Sequence, residues 1–377
     1  MRSRLLAAVL VATLTAGACS SNGEASAPKA TTTTLSPAQA AHAYEEPGPF
    51  PVGATTLALP GGPKVEVWYP AVKGTTGTVA YDVRDFTPPA IRNILTGDIP
   101  ASYDFDGARD ASVAPGRFPV VLFSHGFAGI RLQSSFLTSH LASYGMVVVA
   151  PEHPSRDLNA VLTNTLSADP SASVNELLHA LELIVAEGAK AGGRFQGHID
   201  ARHVGALGHS AGGGTVLSAA LDGRVDGYVS MASGGPRGQT LYPDKPSFFL
   251  AGSVDAVAPA ATLTKPAYVA APSPSRYWEL SGVGHNGFDD FCTFGGGTGI
   301  IGIAERSGLG AFLDAQPKLR QLGEDGCVPP AFPFAETFPV IRHAVTAWFR
   351  WLFGIDSVPV GLDASAAQTI EVDAEAK

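Results

Sequence analysis

Cysteine is scarce in this chain: three in 377 residues. Too few lie in the body of the sequence to build a structural zinc site, and no cluster of histidine, cysteine or carboxylate residues has metal-ligand spacing. Basic residues are outnumbered as well, with 25 Lys and Arg against 34 Asp and Glu and a formal net charge of -9. No basic stripe or patch interrupts that balance, which argues against nucleic acid as a partner. No glycine fingerprint for a dinucleotide occurs, so no cofactor is expected. No internal repeat is present, and no apolar run is long enough for a comfortable membrane span.

What is present begins with an export signal. Arg2 and Arg4 precede the apolar stretch "LLAAVLVATLTAGA", followed by "CSSNG". A cysteine directly after small residues resembles the lipobox of bacterial lipoproteins. That resemblance implies lipidation of Cys19 and anchoring to a membrane, with simple secretion as the alternative. The expected organisation is a signal peptide over 1–18, a flexible Ser/Ala/Thr-rich linker over 19–46, a catalytic domain over 47–361 and a loose acidic tail over 362–377. Export places Cys292 and Cys327 in an oxidising compartment, where two remaining cysteines are expected to pair.

Between the ends, strand and helix patterns alternate. "FPVVLFSHG" and "MVVVAPEH" are continuous apolar runs, as buried parallel strands require. "KVEVWYP" alternates like a half-exposed strand. Val174, Leu177, Leu178, Leu181, Ile184 and Val185 recur at helical spacing, and "PVIRHAVTAWFRWLFG" reads as a closing helix. The pattern predicts an α/β fold with a mostly parallel central sheet covered by helices on both faces. Residues 85–115 are Pro-rich and poorly periodic, and are expected to form a lid or pocket wall.

The chemistry centres on "LGHSAGGG", residues 207–214. G-x-S-x-G alone is weak, since chance supplies it in roughly one chain in ten of this length. Its context is stronger, because an apolar strand precedes Ser210 and a small-residue helix follows, as a nucleophile on a sharp strand-to-helix turn requires. A serine hydroxyl needs a base, and His285 lies in the Gly-rich loop "SGVGHNGF" after the last expected strand and before the closing helix. The base needs an acid, and Asp255 in "FFLAGSVDAVAP" follows an apolar strand, giving the chain order Ser–Asp–His. Asp226 precedes a strand, at the wrong end of the sheet, and Asp289 and Asp290 read as ordinary loop charges. His209 is expected to pack behind the turn. "FSHGFAG" ends another strand, so the Phe127 amide and the Ala211 amide are the expected oxyanion donors.

These residues resemble the α/β-hydrolase fold over roughly 47–355. Within it, "FPVVLFSHGFAGIRLQSSFLTSHLASYGMVVVAPEHP", "GHSAGGGTV" and "VGHNGFDDFCTF" resemble the platelet-activating-factor acetylhydrolase group. In the plasma form of that group the acid follows the strand after the elbow. Here that stretch is "YVSMASGG", without a carboxylate, and "AGSVDAVAP" instead resembles the acid loop of bacterial cutinases and polyester hydrolases. The resemblance implies a serine esterase on small-molecule or polymeric esters. A peptidase or thioesterase on the same triad, or a surface ligand-binding protein without catalysis, are the other readings.

Overall fold

Continuous apolar runs build the centre of the sheet. The computed structural model describes residues 35–95, 98–236 and 241–377; the expected signal peptide, Cys19 and the linker through residue 34 lie outside the described residues. In chain order the strands are β1 (Val52–Ala58), β2 (Lys64–Pro70), β3 (Thr78–Asp82), β4 (Ser102–Asp106), β5 (Ala108–Arg109), β6 (Phe118–Ser124), β7 (Val147–Pro151), β8 (Ile199–His209), β9 (Gly227–Met231), β10 (Ser247–Gly252), β11 (Ser275–Leu280) and β12 (Val372–Ala376). Among the described residues ten of them form one sheet in the order β12-β11-β10-β9-β8-β6-β7-β2-β1-β5, while β3 and β4 pair separately. The strands from β7 through β6, β8, β9 and β10 to β11 are mutually parallel. β2 pairs antiparallel with β7, and β1 with β2.

Period-two alternation sends consecutive residues of β6 into different cores. Val121 and Phe123 join a cluster capped by helices Ser135–Ser143 and Phe334–Leu352, while Val120 and Leu122 join one capped by helices Pro170–Ala189 and Ala211–Ala219. Sheet and helices therefore form the three-layer α/β-hydrolase arrangement expected. The position of the site follows from the strand order. The chain leaves β6 toward β7 on one side and returns to β8 on the other, so the loops after β6 and β8 flank the switch point at the carboxyl edge of the sheet.

Four sequence expectations are corrected. Residues 362–377 are not a loose tail: Val372–Ala376 forms strand β12, antiparallel to β11, with Leu280 opposite Val372 and Arg276 opposite Ala376. This strand is mostly exposed and so carries no apolar signature; the open edge of β11 decides its pairing. The linker 19–46 is structured from residue 36. Ser36 and Gln39 form a capping box on helix Pro37–Ala41, and Tyr44 packs edge-on against Tyr144 and donates its hydroxyl to Asp356. β2 is buried from Val65 to Pro70 instead of half exposed, because β1 and β7 flank it; buried Glu66 accepts from Thr56 and is paired with Arg109 and Arg131. The closing helix begins at Phe334, ahead of Pro339, whose ring removes one N–H without ending the helix.

Candidate active site

Ser210 stands between β8 and helix Ala211–Ala219 with φ 54° and ψ -121°, a conformation that a non-glycine residue adopts only under constraint from its surroundings. Two glycines supply the room. A Cβ on Gly208 would lie 2.2 Å from the Gly212 carbonyl oxygen, and one on Gly212 would lie 1.9 Å from the Ser124 carbonyl oxygen at the end of β6. The G-x-S-x-G pattern is thus the steric condition for turning the chain this sharply against its neighbouring strand.

The structure brings Ser210, His285 and Asp255 together from the ends of three strands. His285 Nε2 lies 2.9 Å from Ser210 Oγ, and His285 Nδ1 lies 2.9 Å from Asp255 Oδ2. The other carboxylate oxygen of Asp255 accepts from the Val257 and Ala258 amides, at 2.9 and 2.6 Å. Those bonds fix the carboxylate plane and satisfy its charge. His285 is 1% exposed and Asp255 4%, whereas Ser210 is half-buried at the mouth of a cavity.

The loop after β6 is held from behind. Arg156 donates to the Ser124 hydroxyl and the His125 carbonyl, each at 2.8 Å, and the Gly126 amide is taken by Gln133 Oε1 at 2.8 Å. The Phe127 and Ala211 amides meet no acceptor among the described residues. Ala211 also opens a nine-residue helix, whose amide end favours negative charge.

Several residues that sequence reasoning did not assign to the site organise it. Gln133 gives its two N–H groups to His209 Nδ1 and Asp289 Oδ2, at 2.8 and 2.7 Å. His209, behind the turn as expected, donates from Nε2 to the His285 carbonyl at 3.0 Å. Asp289 is fully buried, not an ordinary loop charge, and burial pushes its carboxyl up to about 7. Asp290 is equally buried. It accepts from the Ser135 and Phe136 amides at the start of their helix and from Tyr81. Burial raises its pKa well above the usual carboxylate range, against the pull of those bonds. Asp325 is another. One oxygen accepts from the His285 amide at 2.7 Å and the other from the Ala256 amide at 2.8 Å, tying the base loop to the acid loop. Its carbonyl also accepts from the Asn286 amide at 2.9 Å. The signal for Asp325 was faint: it lies two residues before Cys327, and the Cys292–Cys327 disulfide is formed, bringing that segment beside His285. Asp226 sits at the opposite edge of the sheet and accepts from the Val204 amide.

Among the described residues no group of three His, Cys, Asp or Glu could hold a metal ion, and no helix is long and apolar enough to cross a membrane. The arrangement offers a hydroxyl activated through a His–carboxylate pair, with two free amides beside it.

A family profile described as PET hydrolase-like matches residues 110–323. A cutinase of Thermobifida alba is 27% identical over 172 residues, covering 45% of this chain and 53% of the relative. A bis(hydroxyethyl) terephthalate hydrolase of Streptomyces coelicolor is 28% identical over 178 residues, covering 46% and 52%. A cutinase of Thermobifida fusca is 24% identical over 171 residues, covering 45% and 50%. The chain thus spans about half the length of the curated relatives it matches.

Proposed function

The chain belongs to the PET hydrolase-like family, and from that premise we propose that it is an exported serine hydrolase of carboxylic esters. The observation that carries this reading is the Ser210–His285–Asp255 chain, with both of its hydrogen bonds at 2.9 Å. Ser210 Oγ attacks the ester carbonyl while its proton passes to His285 Nε2. Asp255 holds the tautomer with the proton on Nδ1 and stabilises the imidazolium that forms. The Phe127 and Ala211 amides hold the tetrahedral oxyanion. Collapse expels the alcohol, which takes the proton from His285, and leaves Ser210 acylated. Water then gives a proton to His285, attacks the acyl carbon and releases the carboxylic acid, returning the proton to Ser210. No cofactor takes part in this sequence.

The names of the relatives bring cutin-type and terephthalate esters into the candidate set. The blocks around residues 118–154, 208–216 and 283–294, which resemble the platelet-activating-factor acetylhydrolase group, add lipid-like esters. We assign Cys19 as the anchoring residue of the exported protein. Cys19→Ser will move protein from the membrane fraction to the medium, and wild type found wholly in the medium without added mass on Cys19 would refute that anchor.

The central test is a serine-directed fluorophosphonate combined with a p-nitrophenyl ester assay. Wild type will be labelled and will turn over the ester. Ser210→Ala will retain the fold, lose the label and lose roughly three or more orders of magnitude in turnover. Full labelling of the Ser210→Ala protein would overturn the assignment.

A further inference from the structure

Three segments from distant parts of the chain wall the cavity at Ser210. Residues after β3 bring Val83 and Ile91, helix Leu158–Thr163 brings Val161 and Leu162, and residues 300–323 bring Ile303, Leu313 and Leu322. The first wall lies partly in the region expected from sequence to act as lid or wall. The last belongs to the disulfide-closed stretch between Cys292 and Cys327.

Two features of this cavity define what it accepts. Among the described residues no Asp, Glu, Lys or Arg lines it. Apart from Ser210 and His285, its polar side chains have also committed their donors elsewhere. Thr87 donates its hydroxyl to the Arg84 carbonyl at 2.8 Å. Gln133 spends its two N–H groups on His209 and Asp289. Asn286 Nδ2 donates to the carbonyls of Leu322 and Asp325, at 2.6 and 2.9 Å. His209 donates to the His285 carbonyl. A hydroxyl or carboxylate on a substrate entering this space would leave water and, with the Phe127 and Ala211 amides taken up by the ester carbonyl, find no further donor, which is unfavourable. A methylene chain loses only water.

We propose that the chamber is an acyl-binding site selective for unsubstituted apolar chains, so that the preferred substrates are aliphatic monoesters rather than polyester units that carry hydroxyl or carboxylate groups. This specificity rests on the reading of Ser210 as an ester-cleaving nucleophile. Aliphatic side chains dominate the walls. Each methylene buried among them favours binding by about fourfold until the space is full.

The test measures kcat/KM for p-nitrophenyl esters from acetate to palmitate, beside bis(2-hydroxyethyl) terephthalate and the ω-carboxylate analogue of the octanoate ester. The expected profile rises at least tenfold from acetate to its optimum, with the octanoate at least tenfold above the terephthalate and a hundredfold above the ω-carboxylate. A profile that peaks at acetate, or a preference for the terephthalate, would overturn the proposal. Ala304→Trp, which projects bulk from the third wall, will lower the octanoate-to-acetate ratio at least tenfold. Leu319→Trp provides a second variant if the first fails to fold, and an unchanged ratio in a folded variant counts against the chamber. Binding of ethyl esters to Ser210→Ala protein, followed calorimetrically, separates the two readings. Ethyl octanoate will bind at least tenfold tighter than ethyl butanoate, and equal affinities would overturn the chamber. Length-dependent binding without turnover or labelling of wild type would instead leave the chamber standing and remove the hydrolase reading.

Discussion

Replacing both bridging cysteines, in Cys292→Ala/Cys327→Ala, tests whether the disulfide only stabilises the fold or also positions the base. The bond spans a sequence separation of 35. In the chain-entropy model a loop of that length stabilises the folded state by roughly 4 kcal/mol. The compact unit runs from Ser36 to Lys377, and at about 2.1 cal/mol/K per residue its unfolding entropy is about 0.7 kcal/mol/K. The expected loss in Tm is therefore about 5 °C, measured by calorimetry under identical buffer and scan conditions. Catalysis adds a second expectation. Cys292 follows His285 in the same buried loop, and Cys327 lies just beyond Asp325, which accepts from the His285 and Ala256 amides. Opening the bridge frees the segment that ties base loop to acid loop. Because a misplacement near 1 Å costs about a hundredfold, a smaller average displacement corresponds to a loss in kcat of about threefold to thirtyfold at 20 °C, where the variant remains folded. A Tm unchanged within about 1 °C would refute the loop-entropy argument. A lowered Tm with unchanged kcat would refute the positioning argument and leave the bridge as a staple.

Three further outcomes follow from the same geometry. Asp325→Ala removes both side-chain acceptors and will lower kcat at least tenfold, with Asp325→Asn, which keeps one acceptor, intermediate; wild-type turnover in the alanine variant, measured on p-nitrophenyl butanoate, would show that the two loops hold themselves. Asp255→Asn will cost about four orders of magnitude in kcat by turning His285 to the wrong tautomer, whereas Asp226→Asn, at the far edge of the sheet, will stay within about threefold; the reverse ranking would displace Asp255 as the acid. His140, buried against Arg342 and donating to the Tyr44 carbonyl, has its pKa lowered to about 3, chiefly by burial. The folded state refuses a proton that the unfolded chain accepts below about pH 6.5, so this contribution to stability is full above that pH and is lost as the pH falls toward 3. Between pH 7 and pH 5 wild type will lose about 2 kcal/mol relative to His140→Gln, and parallel denaturation curves at the two pH values would refute the burial argument.

The parts of this protein legible in its sequence are those that local chemistry dictates. Apolar runs at β6 and β7 mark strands buried on both faces, since only such strands dispense with polar alternation. Gly208 and Gly212 announce the sharp turn at Ser210 because any side chain there would collide with backbone. The positions of Ser210, Asp255 and His285 after β8, β10 and β11 follow from strand order alone, as parallel strands deliver their following loops to one edge.

Tertiary structure decided what depends on a partner distant in the chain. β12 is a strand only because β11 offers an unpaired edge, and its exposed alternation gave no apolar signal. Asp289 and Asp290 look like solvated loop charges until the helix Ser135–Ser143 and Gln133 close over them. Asp325 stands forty residues beyond His285 in the chain, yet it receives that residue's amide hydrogen. The chamber has no sequence motif, because its walls come from segments near residues 83–95, 158–162 and 300–323 and each alone reads as ordinary core or loop. Composition and periodicity record what a residue needs from its immediate neighbours; which buried donors are already spent, and so what a cavity will admit, is settled only when those distant segments meet.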